Sequence, residues 1–120
     1  MDDKEKFKAS INEGYNFKGE SILLGGAIFN GECLTGVNIK LPLKTMNRHG
    51  LIAGATGTGK TKTLQVISEG LSAKSVPVLL MDIKGDLSGI AKPGSSNEKI
   101  EDRANKIGIT YTPTGFPVEL

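Results

Sequence analysis

The chain has 120 residues, the length of one domain, with 15 basic against 13 acidic residues and a formal charge of +2. So even a balance is no sign of a nucleic-acid groove, which carries a clustered basic face. An apolar content of 38% supports only a modest core, and Cys33, the single cysteine, excludes an internal disulfide and suits a reducing compartment. The N-terminus, Met1-Asp-Asp-Lys-Glu-Lys, is too acidic for a signal or transit peptide. No apolar run approaches the roughly 20 residues of a membrane helix. A cytoplasmic protein with no membrane partner is expected.

Residues 1–49 read as an N-terminal helix followed by β elements. Asp2 to Asn12 is mostly charged, with Phe7 and Ile11 four apart, which predicts one short helix with a thin apolar stripe. Asn30-Gly31 lies between Ala27-Ile-Phe and Glu32–Thr35, and this dipeptide favours a tight hairpin turn. Val37 to Leu41 alternates apolar and polar residues like a half-buried strand, and Pro42 marks its end. No ligand constellation occurs here, so the stretch is expected to be structural.

The chemistry lies between residues 50 and 91. Leu51-Ile-Ala is a short apolar strand leading into Gly54-Ala-Thr-Gly-Thr-Gly-Lys-Thr61, which matches G-x-x-x-x-G-K-[ST] in full. Gly54, Gly57 and Gly59 let the backbone approach an anion closely, and successive amides can form a concave nest. The loop opens a helix, whose first N–H groups add donors and partial positive charge. Lys60 brings a full charge to the β- and γ-phosphates, and the Thr61 hydroxyl suits Mg²⁺. The expected nucleotide contacts are Gly54, Ala55, Thr56, Gly57, Thr58, Gly59, Lys60, Thr61 and Lys62. Leu64, Ile67 and Leu71 give the following helix one apolar face.

Val76-Pro-Val-Leu-Leu-Met is a near-continuous apolar run of the kind found in parallel strands covered on both faces. Strand, loop, helix and strand predict a right-handed βαβ unit, with Asp82 at the carboxyl end where ligands bind in open α/β sheets. Asp82 is therefore a candidate catalytic residue beside Lys60, and a candidate magnesium ligand beside Thr61. Asp86 reads either as a second acid or as a cap on the turn Leu87-Ser88-Gly89. Lys84 reads as a solvated turn residue. Asp82-Ile-Lys-Gly85 also has the D-x-x-G form of GTPases, but the stretch after Lys60 has no room for the switch loop and strand that a Ras-type GTPase carries there. Asn105-Lys-Ile-Gly108 lacks the aspartate that would read guanine, so ATP is the expected nucleotide.

Residues 92–120 begin with a loop. Ser95-Ser-Asn-Glu98 matches a capping box, Ile100, Ala104 and Ile107 share a helix face, and Gly108 is placed to end that helix. Arg103 reads as a solvated helix residue. Ile109 to Thr112 and Pro117 to Leu120 read as short strands.

Three strings resemble one family. Asn47-Arg-His-Gly-Leu-Ile-Ala-Gly-Ala-Thr-Gly-Thr-Gly-Lys-Thr61, Leu64-Gln65, and Val76 through Asp82-Ile-Lys-Gly-Asp-Leu-Ser-Gly89 resemble the HerA/FtsK superfamily. Within it they are similar to YjgR-like bacterial proteins with a HerA-type helicase C-terminal ATPase domain. The likeness is detailed over residues 45–90 and fainter over 20–44 and 91–120. It implies an α/β P-loop NTPase of RecA-like, parallel-sheet type, preceded by short β-hairpin elements. Residues 50–120 would then be the N-terminal part of an ATPase core. On this likeness Gly54 to Thr61 is the Walker A loop, and Asp82 ends the second core strand. The likeness further implies ATP and Mg²⁺ as cofactors, a ring of like subunits, and DNA as the partner moved by ATP hydrolysis.

Family members are several times longer, and no apolar strand ending in adjacent acids follows Asp82. The chain is therefore expected to be an N-terminal piece of such an ATPase. Two other readings stay open: a nucleotide-binding module without turnover, and a small GTPase or phosphotransferase, for which no acceptor site or base reader is visible.

Overall fold

In the computed structural model, which describes residues 1–120, Asp2 starts the first helix. Its carboxylate accepts a hydrogen bond from the Glu5 amide at 2.8 Å, and α1 (Asp3–Gly14) follows. The chain then forms a hairpin from β1 (Ser21–Phe29) and β2 (Glu32–Pro42), paired antiparallel with Phe29 opposite Glu32. Asn30 and Gly31 join the strands with φ of 47° and 80°, both in the left-handed region that a two-residue turn of this hand demands. Register shifts between Leu23 and Gly25 and between Gly26 and Ile28 interrupt the ladder.

A two-stranded ribbon is marginal by itself and needs a packed face. Here Ala27, Leu34 and Val37 are buried together, and Phe7, Ile11, Phe29 and Ile39 pack around them. The Phe7 and Phe29 rings lie 5.1 Å apart, so the thin stripe of α1 is what covers the hairpin.

A third helix, α3 (Glu98–Ile107), packs on β2. Its cap is Asn97, whose side chain accepts from the Ile100 amide at 3.0 Å, and not the serine of the expected capping box. Asparagine caps as well as serine does. Gly108 ends the helix at φ 88°, as its position suggests. A Cβ there would also stand 3.1 Å from the Thr35 methyl. The Thr35 hydroxyl and the Cys33 thiol both donate to the Lys106 carbonyl, at 2.8 and 3.4 Å, which satisfies an orphan acceptor at the helix end. These elements make one compact unit, Met1–Met46 with Ser96–Thr112.

The second unit comprises Asn47–Ser95 and Pro113–Leu120. Its helix is α2 (Lys60–Ala73), followed by a turn of 3₁₀ helix at Ser88–Ala91. The expected RecA-like parallel sheet is not formed. The sheet of this protein is the two-stranded antiparallel β1–β2 pair, and residues 51–53, 76–82, 109–112 and 117–120 are in no strand. The reason is that a strand is defined by its ladder. An apolar run signals a buried strand only when neighbours take its N–H and C=O groups. Here Leu51, Leu79 and Met81 are each about nine-tenths exposed. The apolar face of α2 is correspondingly thin: Ile67 and Leu71 are half-buried, Leu64 is exposed, and the buried residue is Ser68, whose hydroxyl donates to the Leu64 carbonyl. No helix is long and apolar enough to cross a membrane.

Val37 is the most deeply buried side chain, at 1% exposure. Val37→Ala is expected to destabilise the first unit by about 1.5–3 kcal/mol in urea unfolding. The exposed Ile28 serves as control: Ile28→Ala should stay within about 0.5 kcal/mol of the unsubstituted chain.

Candidate functional site

The octet Gly54–Thr61 forms a loop that turns directly into α2. Gly57 and Gly59 have φ of 81° and 99°, which other residues adopt at a steric cost, so these two glycines let the loop close on itself. Gly59 is the N-cap of α2, and no side chain caps the helix start. The amides of the first turn therefore face outward without a side-chain acceptor, and the positive end of the helix dipole is open.

Four contacts shape the loop. The Thr58 hydroxyl donates to the Ala55 carbonyl at 2.6 Å, and the Thr58 amide reaches the same oxygen at 3.3 Å. The Lys60 ammonium donates to the Gly54 carbonyl at 2.6 Å and to the Ala55 carbonyl at 3.1 Å. The charge is thus folded back over the loop and not extended into solvent. Gly54 is required for space: a Cβ there would meet the Thr58 hydroxyl at 2.5 Å. Residues 54–59, Thr61 and Lys62 are exposed. A loop of this form, with open amides and a tethered ammonium, can receive a polyanion.

Asp82 sits apart from that set in its contacts. One carboxylate oxygen accepts from the amides of Gly85 at 2.8 Å and Asp86 at 3.1 Å, and the other accepts from Leu87 at 2.8 Å. Gly85, at φ 78°, allows the chain to curl around the carboxylate. The Leu87 amide, more than any other contact, holds the Asp82 carboxyl below its ordinary range. The amides of Asp86, Gly85 and Lys84 add to this, and desolvation opposes it. The expected acid is therefore the centre of its own turn. Asp86 does not cap the turn that follows, since Ser88–Ala91 has no side-chain cap.

One residue that the sequence did not single out as functional joins the two features. The Gln65 side-chain amide, on α2, donates to the Asp86 carbonyl at 3.1 Å. Gln65 carries no charge and belongs to no motif, so only its identity inside the family-like string marked it.

A cavity of about 910 Å³ lies in the same unit, between the second half of α2, residues 75–80 and residues 116–120, and Asp82 and Leu87 also line it. It includes no residue of the octet. Glu69 borders it, and desolvation there pushes its carboxyl up while Lys62 pulls it down. No group of three or more His, Cys, Asp or Glu is placed to hold a metal ion. Magnesium that arrives with a polyphosphate needs no such cage, because it keeps waters and uses phosphate oxygens with one or two protein ligands.

The octet is thus a glycine-bearing loop that ends in a lysine and opens a helix, followed by an Asp-centred turn tied to that helix. The family model described as Helicase HerA-like C-terminal matches residues 30–120, and the chain belongs to that family. The resemblance carried by the 47–89 strings is thereby upheld, and it extends across α3. No curated protein and no solved structure matches the chain.

The Asp82 turn yields a pH test. A carboxyl with a lowered folded-state pKa stabilises its turn at higher pH and loses that contribution as pH falls through the folded value. Amide resonances of Gly85, Asp86 and Leu87 should therefore titrate together in NMR, with a midpoint below 3.8, the ordinary carboxyl value. A shared midpoint above it would contradict the cage of amides.

Proposed function

We propose that the chain binds MgATP through Gly54, Ala55, Thr56, Gly57, Thr58, Gly59, Lys60, Thr61 and Lys62, and that it serves a cytoplasmic HerA-type ATPase that couples hydrolysis to movement along DNA. The observation that carries this is the Lys60 ammonium held over a glycine turn at the uncapped start of α2. Gly54 lets the loop close, since a Cβ there would meet the Thr58 hydroxyl at 2.5 Å. The donors are amides and one ammonium, which suit an anion, and nothing acidic contacts the loop.

In this reading the backbone amides between Gly57 and Thr61 receive the β-phosphate, and Lys60 exchanges its two carbonyl partners for β- and γ-phosphate oxygens. The Thr61 hydroxyl is the protein's oxygen for Mg²⁺, an ion that neutralises charge on the terminal phosphates. Asp82 uses its carboxylate on the amides of its own turn, so in this reading it acts on the ion through its charge and not as a direct ligand. The family's helicase description supports DNA as the substrate.

A second reading, a nucleotide-binding module without turnover, draws on the same contacts of Asp82. Every polar contact of that carboxylate runs to its own turn, and none to Lys60 or Thr61. The two readings separate in an ATPase assay with and without duplex DNA. Hydrolysis stimulated by DNA is expected for the motor, and ATP binding with no turnover in either condition would favour the module.

Lys60→Ala removes the one full charge of the loop. ATP affinity should fall about tenfold or more by calorimetry, the scale of a charge-assisted hydrogen bond, with an unchanged circular-dichroism spectrum. Undiminished binding would remove the loop from the site.

A further inference from the structure

Helix geometry places Gln65 four residues after Thr61, on the same face of α2 and about 6 Å further along the axis. Gln65 donates to the Asp86 carbonyl at 3.1 Å, and Asp86 belongs to the turn that wraps the Asp82 carboxylate. The acidic turn is thus pinned to α2 one helical turn from the Thr61 hydroxyl. Gly85, at φ 78°, supplies the sharp bend that brings the turn back to this position.

We infer that Gln65 is a positioning residue: it stations the Asp82–Leu87 turn beside the Thr61 hydroxyl and thereby sets how much magnesium strengthens nucleotide binding. This rests on the nucleotide reading above and adds the coupling between the two loops. The physical basis is charge placement. Asp82 and Asp86 are the acids of this turn, and their attraction to a divalent ion falls with distance, steeply so through water and salt. A turn released from α2 would carry both acids away from the ion, while the loop itself, built from Gly54 to Lys60, would stay as it is. The Gln65 side chain bonds to Asp86 and not to that loop, so its removal acts on the magnesium-dependent part of the affinity.

The experiment compares the ATP dissociation constant of the 120-residue chain in EDTA with that in excess Mg²⁺, for the unsubstituted chain, Gln65→Met, Asp82→Asn and the double variant. Methionine keeps the length and helix propensity of glutamine and lacks the donor. The ratio of the two constants should fall about two- to tenfold in Gln65→Met, the range of a single lost hydrogen bond, with the EDTA constant unchanged. The double variant should fall no further than the lower single variant, because both substitutions release the same turn. An unchanged ratio in Gln65→Met, equal losses in both conditions, or additive losses in the double variant would overturn the coupling.

A measurement on the unsubstituted chain covers the case of a misfolded variant. Adding Mg²⁺ to the ATP-bound chain should move the Gln65 side-chain amide resonances together with those of Gly85 and Asp86. Resonances that stay fixed would overturn the coupling while leaving ATP binding in place, whereas a chain that binds no ATP in either condition removes the nucleotide reading and the coupling together.

Discussion

Left-handed glycines shape both polar loops of the second unit. In the Asp82 turn the anion belongs to the chain: one carboxylate collects the amides of Gly85, Asp86 and Leu87 while Gly85 supplies the left-handed bend. In the octet the same backbone device recurs, with Gly57 and Gly59 in the left-handed region and the uncapped start of α2 behind them. There the chain offers no carboxylate of its own. It offers instead the Lys60 ammonium, which rests on the Gly54 and Ala55 carbonyls. One loop carries its own anion and the other carries a cation, and Gln65 joins the first to the helix that begins in the second.

Local chemistry made much of the first unit legible in the sequence. Asn30-Gly31 dictates its own turn, so the hairpin follows from two residues. Gly108 ends α3 for a reason visible in the sequence, and Ala104 lies on the face that the spacing of Ile100 and Ile107 defines. The cap of α3 was misplaced because Ser95, Ser96 and Asn97 are all competent caps, and only the geometry chooses Asn97. The parallel sheet failed for a different reason. Val76 to Met81 has the composition of a buried strand, but composition does not supply the neighbouring strand. With no ladder partner, the run leaves Leu79 and Met81 exposed.

Legibility at the site divides along the same line. The octet was readable because each fixed residue acts on its own few atoms: a glycine for a positive φ or a close approach, a lysine for charge. Gly54 shows this plainly, since its partner in the forbidden contact is Thr58 of the same octet. Asp82 stands out in the sequence by its place after an apolar run, yet its contacts with the amides that follow depend on how the chain curls, which no spacing rule contains. Gln65 was hidden further still. Its partner is a backbone carbonyl in another segment, and a carbonyl has no sequence signature.

The measurement that bears most directly on the amide cradle is a titration of the isotope-labelled chain with MgATP, followed by backbone amide NMR. The expected result is a saturable set of shifts concentrated on residues 55–62, where a phosphate would meet the glycine turn and the first turn of α2. Shifts centred on the cavity beside Glu69 and Phe116, or no saturable shifts at all, would contradict it.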